Sequence, residues 1–363
     1  MKDPVEARAD ESEDLYDVAS WEPRSRLDRL AVKTHRGVLS AGRALIVALG
    51  LFIMLLILGG GAAALIVENP FILALIVLSV VPAALLALYI YTSDITTDEP
   101  ASLLAATFVL AILFAGFAAI INTTLSGVFG VAGGGIAAVL PVPGVELLFM
   151  MLFYYLVVGP GEEAVKLLAV RLYAYRDERF DSVIDGAVYG AVAGLGFASI
   201  ENVLYITQNI SAPSAVIAQS AADFTASFFQ TLDAGSGITA VRGLAGPGHV
   251  IYSAFAGYYL GLARFNPDNA GPIVAKGLLI AAFIHGTYNI LVGIVPLVVS
   301  AFVPIPVFAI FVAFVVVYDG VFFYFLYRKL ARYRKTYQRV SDDVDDPADA
   351  SSELTEFDPD TNP

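Results

Sequence analysis

Gly159-Pro160-Gly161-Glu162-Glu163-Ala164-Val165-Lys166-Leu167-Leu168-Ala169-Val170 decides how this chain is read. Two adjacent carboxylates and a lysine stand inside a long apolar span. At membrane depth each such group costs about 3 kcal/mol unless it is paired or wetted, so it marks function. On a helix Glu162 and Lys166 are i,i+4 and Glu163 and Lys166 are i,i+3, so one ammonium can reach either acid. Gly159-Pro160 interrupts the apolar run, and proline suits the first turn of a helix. The stretch predicts a new helix near Pro160. Both glutamates would lie among the free amides of its first turn, which favour negative charge.

The 363 residues are 58% hydrophobic and only 15% charged. That balance belongs to an all-α polytopic membrane protein. The net charge of −13 is concentrated in the tails, 1–23 and 341–363, which read as disordered. Such acidity argues against a nucleic-acid partner. Without cysteine, the chain has no disulfides, thiolate metal ligands or cysteine nucleophiles. The first 43 residues are polar, so the first apolar span must target the membrane.

Hydropathy and the positive-inside rule predict about eight spans with both termini cytoplasmic. Arg24, Arg26, Arg29, Lys33, Arg36 and Arg43 precede span one, at 44–67. Spans two and three end near Tyr91 and Ile121. The glycine-rich 122–144 reads as too irregular for a lipid-facing helix. Span four joins a short apolar piece, 145–158, to the Glu-Glu helix. Spans five to eight are about 183–206, 243–263, 273–295 and 302–327. Basic residues at Arg171, Arg176, Arg179, Arg264 and 328–335 mark the inner side. The loop 207–241 has neither Lys nor Arg and reads as external. Asn122-Thr123-Thr124 and Asn209-Ile210-Ser211 match the glycosylation sequon. The regions are thus 1–43, an acidic tail with a basic juxtamembrane segment; 44–144, the first three spans and a glycine-rich loop; 145–297, the core carrying the site; 298–335, the last span and its basic flank; and 336–363, an acidic tail.

In span five Gly186, Gly190 and Gly194 repeat every fourth residue, a stripe that lets helices approach closely. Glu201 lies on nearly the same face, at the seam. Asp185 reads as a cap. In span six Pro247-Gly248 precedes His249 and predicts locally opened backbone, and Gly257 and Gly261 form a second close-packing pair. Span seven holds His285 and Asn289 at i,i+4. With a rise of about 1.5 Å per residue, Glu162, His249 and His285 each lie roughly 20 Å from the inner face, and Glu201 slightly farther. Four helices bring acids and bases to one level, which points to a shared polar site. Asp319, between Tyr318 and Gly320, reads as locally bonded.

These residues resemble the PrsW family of intramembrane proteases, related to the CAAX-processing and bacteriocin-processing membrane endopeptidases. The matching motifs are Glu162-Glu163-Ala164-Val165-Lys166, Phe197-Ala198-Ser199-Ile200-Glu201-Asn202, Pro247-Gly248-His249 and His285-Gly286-Thr287-Tyr288-Asn289. The likeness covers about 149–295. The prenyl-protein endopeptidases have histidine where this chain has Glu201. The resemblance implies a multi-pass protein of the cell membrane that cuts a single-span, membrane-anchored substrate near the outer face, such as an anti-sigma-factor-like regulator.

Two chemistries fit these residues. In one, His249, His285 and Glu201 bind Zn²⁺ with an open position for water, while Glu162 and Glu163 supply the general base. In the other, a glutamate and a histidine activate water directly, and Asn289 with the other histidine holds the oxyanion. Lys166 neutralises a glutamate in both. An ion-coupled transporter would also use broken helices and buried acids at mid-depth, though no internal repeat accompanies them here. A non-catalytic scaffold is a third class.

Overall fold

The computed structural model describes residues 10, 14–95, 99–139, 143–210 and 221–345, the side chains of 221–224 and 341–345 excepted. Most of both acidic tails, and residues 211–220 of the expected outer loop, lie outside these. Among the described residues the fold is helical: α1 is Arg26–Ile57, α2 Ala63–Glu68, α3 Phe71–Tyr91, α4 Ala101–Val139 and α5 Val145–Phe153. α6 is Gly159–Leu172, α7 Val183–Asn209, α8 Ala221–Arg264, α9 Ala270–Ser300 and α10 Val307–Asp345. Single π-helical turns at Leu58–Ala62 and Tyr154–Val158 join α1 to α2 and α5 to α6.

Seven helical stretches of the described residues are long and apolar enough to cross a membrane. α8, which holds expected span six, is not among them. Long apolar side chains face outward along these helices, as with Leu73, Val77, Leu85 and Leu88 on α3 and Val316, Val317 and Phe325 on α10. Outward apolar rows on this scale suit lipid rather than water.

Residues 1–52 and 53–363 form two units. In the first, α1 starts on a reciprocal cap. The Asp28 amide donates to Ser25 Oγ at 3.0 Å and the Ser25 amide to Asp28 Oδ2 at 2.6 Å. Tyr16 also donates its hydroxyl to Asp28. The basic run from Arg26 to Arg43 is therefore helix.

In the second unit α7 is the central helix, buried along most of its length. Its glycine stripe meets α8 backbone to backbone. A Cβ on Gly186 would lie 2.2 Å from the Gly257 carbonyl oxygen, and one on Gly190 would lie 2.3 Å from that of Ser253. No other residue permits this approach, and it draws α8's polar face against α7. Beyond the stripe Ile206 and Ile210 pack on Ile72, Leu75 and Ile76 of α3. Asp185 caps α7 reciprocally with Ser182, as its position suggests.

Four local expectations are corrected. Residues 122–139 continue α4 as helix rather than irregular chain, and Gly133 lies where a Cβ would sit 3.0 Å from that of Phe149 on α5. α6 starts at Gly159 with Pro160 in its first turn, as expected, but without a break: the π turn carries α5 straight into it, so the glutamates do not sit on free amides. A π turn shifts the hydrogen-bond register where proline has no N–H to give. Residues 221–241 are helix, part of α8, instead of loop. Helix also continues through Pro247, so the backbone before His249 is not opened; Gly248 instead makes room for Tyr252, whose hydroxyl lies 2.7 Å from where a Cβ would be.

Candidate active site

The expected acids and bases meet. Glu162, His249 and His285 are buried, and each offers one ligand atom within 4.8 Å of the others. They come from α6, α8 and α9. The two histidine rings meet edge to face at 5.2 Å between centroids.

Glu163 and Lys166 stand behind the histidines and are 0% and 1% exposed. Lys166 Nζ donates to Glu163 Oε1 at 2.7 Å and to His249 Nδ1 at 3.0 Å, and lies 4.3 Å over the Phe197 ring. Glu163 also accepts from Ser253 Oγ at 3.1 Å and pairs with His285 Nδ1 at 2.9 Å. These contacts fix both tautomers. An ammonium only donates, so His249 Nδ1 accepts and its ring proton sits on Nε2. A carboxylate only accepts, so His285 donates from Nδ1, and in the neutral ring the lone pair is on Nε2.

That lone pair points at Glu162, whose Oε2 lies 3.6 Å away. Glu162 Oε1 accepts from Asn122 Nδ2 at 2.9 Å, but Oε2 is buried without a hydrogen-bond partner. Two acceptors facing each other in a buried space lack a cation or a proton between them. A carboxylate and two imidazoles with an orphaned oxygen therefore fit a metal ion. The contact from Glu163 to the far nitrogen of His285 is the outer-shell contact that orients a ligating histidine.

Glu201 is not one of the three that converge, but it touches His249. Its Oε2 lies 3.0 Å from His249 Nε2 and 2.9 Å from Arg242 Nη2. Arg242 also donates from Nε to Asn202 Oδ1 at 2.9 Å, and Asn202 donates to Ser79 Oγ at 2.9 Å. Arg242 thus anchors Glu201. Gly194 brings the α8 backbone in at this level; a Cβ there would lie 2.4 Å from the His249 carbonyl oxygen.

A cavity of about 550 Å³ opens onto Glu162, Glu201, Arg242, His249, His285 and Asn289. Glu163 and Lys166 do not line it. Sequence reasoning misses Asn122, Ser253 and Tyr252. Asn122 falls in a glycosylation sequon where irregular chain is expected, whereas it is helical and turned onto Glu162. Ser253 stands four residues after His249 on one helical face, which is the available signal. Tyr252 tilts over the His285 ring at 5.5 Å and donates to Asp319 Oδ1 at 2.9 Å, so Asp319 is bonded across helices rather than locally.

A sequence profile described as PrsW family intramembrane metalloprotease matches residues 99–318. "Protease PrsW" of Geobacillus kaustophilus is 27% identical over 216 residues, 60% of this chain and 78% of its own. "Protease PrsW" of Bacillus subtilis is 27% identical over 220 residues, 60% of this chain and 81% of its own. That of Oceanobacillus iheyensis is 26% identical over 210 residues, covering 58% and 79%. No solved structure matches the chain. With the profile covering more than half of the chain, the protein belongs to the PrsW family of intramembrane metalloproteases and is a multi-pass membrane protease.

Proposed function

We propose that this protease hydrolyses a peptide bond of a single-span, membrane-anchored protein at the level of the Glu162–His249–His285 cluster. The observation that carries the reading is the orphaned Oε2 of Glu162 facing His285 Nε2 at 3.6 Å, with the far nitrogen of that histidine held by Glu163. Glu162, His249 and His285 would hold the ion, and Zn²⁺ suits two histidines plus one carboxylate. When bound, it supplies a Lewis acid that lowers the pKa of a bound water and polarises the scissile carbonyl.

The chain's own residues then divide the work. His249 releases its Nε2 proton on ligation, as metal binding requires of imidazole. Glu201, which lines the cavity and is anchored by Arg242, takes the role of general base: it accepts a proton from water and returns it to the leaving amine. The geometry favours this over Glu201 as ligand and Glu162 as base. Asn289, at the cavity wall, can donate to the substrate backbone. Glu163 and Lys166 touch no substrate; they hold the tautomers of both rings.

A metal-free reading draws on the 3.0 Å contact between Glu201 and His249, which could activate water as a pair. A transporter reading predicts solute flux instead of cleavage. The topology we favour has eight crossings, α8 included, with both termini cytoplasmic, because Arg171, Arg264 and the run from Arg328 to Lys335 then share one side. A membrane-anchored regulator, of the anti-sigma-factor kind, fits a site at this depth.

The test is reconstitution. Purified protein in lipid vesicles should cleave a single-span test substrate, and His285→Ala and Glu162→Gln should stop cleavage while keeping the folded melting profile. Solute flux without cleavage contradicts the reading. Full activity after stringent chelation favours the pair of Glu201 and His249.

A further inference from the structure

The end of α5, the π turn after it and α9 form part of the wall of the catalytic cavity, through Phe153, Tyr154, Val158, Asn289 and Val292. α5 packs on α4, where the Phe129 ring meets those of Phe149 and Phe153 at 6.5 and 5.6 Å. Next to it, the π turn and the start of α6 are locked to α9. The hydroxyls of Tyr155 and Thr287 are 2.8 Å apart, the Tyr155 and Phe283 rings stack at 5.6 Å, and a Cβ on Gly159 would lie 2.4 Å from the Ala282 carbonyl oxygen.

Past this lock the helices part around an apolar cleft of about 380 Å³. Met150 forms one wall and Ile290, Ile294 and Leu297 the other. Gly293 also lines it, and a Cβ there would meet nothing within 4 Å. Tyr154 and Asn289 line both the cleft and the catalytic cavity, so the two spaces adjoin at these side chains.

We propose that this cleft is where the apolar segment of the membrane-anchored substrate docks and enters, an inference that rests on the protease reading. A second apolar groove, between Val241, Leu297 and Phe308, also borders the cavity. The residues it shares with the cavity, Val241, Val292 and Phe311, are all apolar. A peptide bond presented for hydrolysis must leave its helix, and its freed N–H and C=O need partners at membrane depth. Asn289 and Tyr154 supply side-chain donors and acceptors at the α5–α9 threshold; the other groove supplies none there.

The cleft also sets what can dock. From Asn289 to Val298 α9 rises roughly 14 Å, about half of a 30 Å hydrocarbon core. It therefore accepts half a transmembrane segment, uncharged along that half, and places the bond to be cut near mid-span.

The chain contains no cysteine, so introduced pairs are its only thiols. Met150→Cys with Ile294→Cys bridges the α5–α9 cleft, and Pro296→Cys with Phe308→Cys, two residues outside the cavity lining, bridges the other groove. Each pair is closed with a reducible bifunctional thiol reagent in lipid vesicles, and cleavage of a single-span apolar substrate is compared before closure, after closure and after reduction. Closing α5–α9 should abolish cleavage, reduction should restore it, and closing the other groove should leave it. Unchanged cleavage with α5–α9 closed, or loss only with the other groove closed, overturns the proposal. A photocrosslinker at Val298, which lines this cleft and not the other groove, reads docking without turnover. Capture of the apolar segment there without cleavage upholds docking and contradicts the protease reading; cleavage without capture overturns docking alone.

Discussion

Lys166 Nζ lies 3.0 Å from His249 Nδ1, and this single contact decides which nitrogen of the ring faces the cavity. The same ammonium is 2.7 Å from Glu163 Oε1, which in turn meets His285. One lysine thus sets both histidines, although it touches neither the cavity nor anything bound there.

Lys166→Met should therefore damage fold and chemistry together. Removing one member of a buried ion pair costs about 3–5 kcal/mol because the other charge is stranded. Melting in detergent should drop accordingly, and residual folded protein should lose cleavage. Lys166→Arg should not rescue, since a planar guanidinium cannot replace a compact ammonium between Glu163 and His249. An active, stable Lys166→Met protein would contradict this.

Glu163→Gln tests orientation apart from contact. The amide can still accept from one neighbour, but its NH₂ faces donors. Loss of an outer-shell partner of this kind lowers metal affinity about 10- to 100-fold. Titration of the apoprotein with Zn²⁺ should show that weakening while the melting profile stays cooperative. Unaltered affinity would mean that Glu163 does not orient His285 for the metal.

The glycine seam between α7 and α8 offers a packing test. Gly190→Ala places a methyl 2.3 Å from the Ser253 carbonyl oxygen, so the helices must separate at the level that carries Ser253 and His249. We expect lost activity and a lowered melting midpoint. Gly127→Ala on α4 meets nothing within 4 Å and should be neutral, or stabilising by about 0.5–1 kcal/mol.

Away from the site, Glu99 sits between α3 and α4 with the Tyr189 hydroxyl donating to it. Burial pushes its carboxyl up to about 8, aided by Asp185 and Asp94. The folded chain keeps this proton over a range in which the unfolded chain, near the ordinary carboxylate value of about 4, has lost it. Stability from this group is thus present at low pH, declines as pH rises, and levels off above about 8. Melting midpoints across that range should fall with pH in the parent and flatten in Glu99→Gln. Parallel profiles would rule Glu99 out as the source.

Much of the site is legible in the sequence because charge inside apolar spans is rare. Glu162, Glu163, Lys166, Glu201, His249 and His285 stand out for that reason, and helical rise alone puts Glu162, Glu201, His249 and His285 near one depth. Which acid faces both histidines is not legible. Glu162 and Glu163 differ by about 100° around one helix, and only packing decides which turns to the cavity. Asn122 and Ser253 are silent because such residues in helices commonly bond their own backbone. In the fold, the π turn at Tyr154–Val158 leaves no signature beyond Gly159-Pro160, which reads as a helix start. The glycines of 122–139 hide a helix whose neighbour α5 needs them small only at Gly133.

Metal content measured against cleavage addresses the central claim most directly. Protein purified without chelator should carry one divalent ion per chain. His249→Ala, His285→Ala and Glu162→Gln should each lose it along with cleavage, and Zn²⁺ should restore both in chelated parent protein. Parent protein free of metal that cleaves its substrate at the full rate would contradict the account.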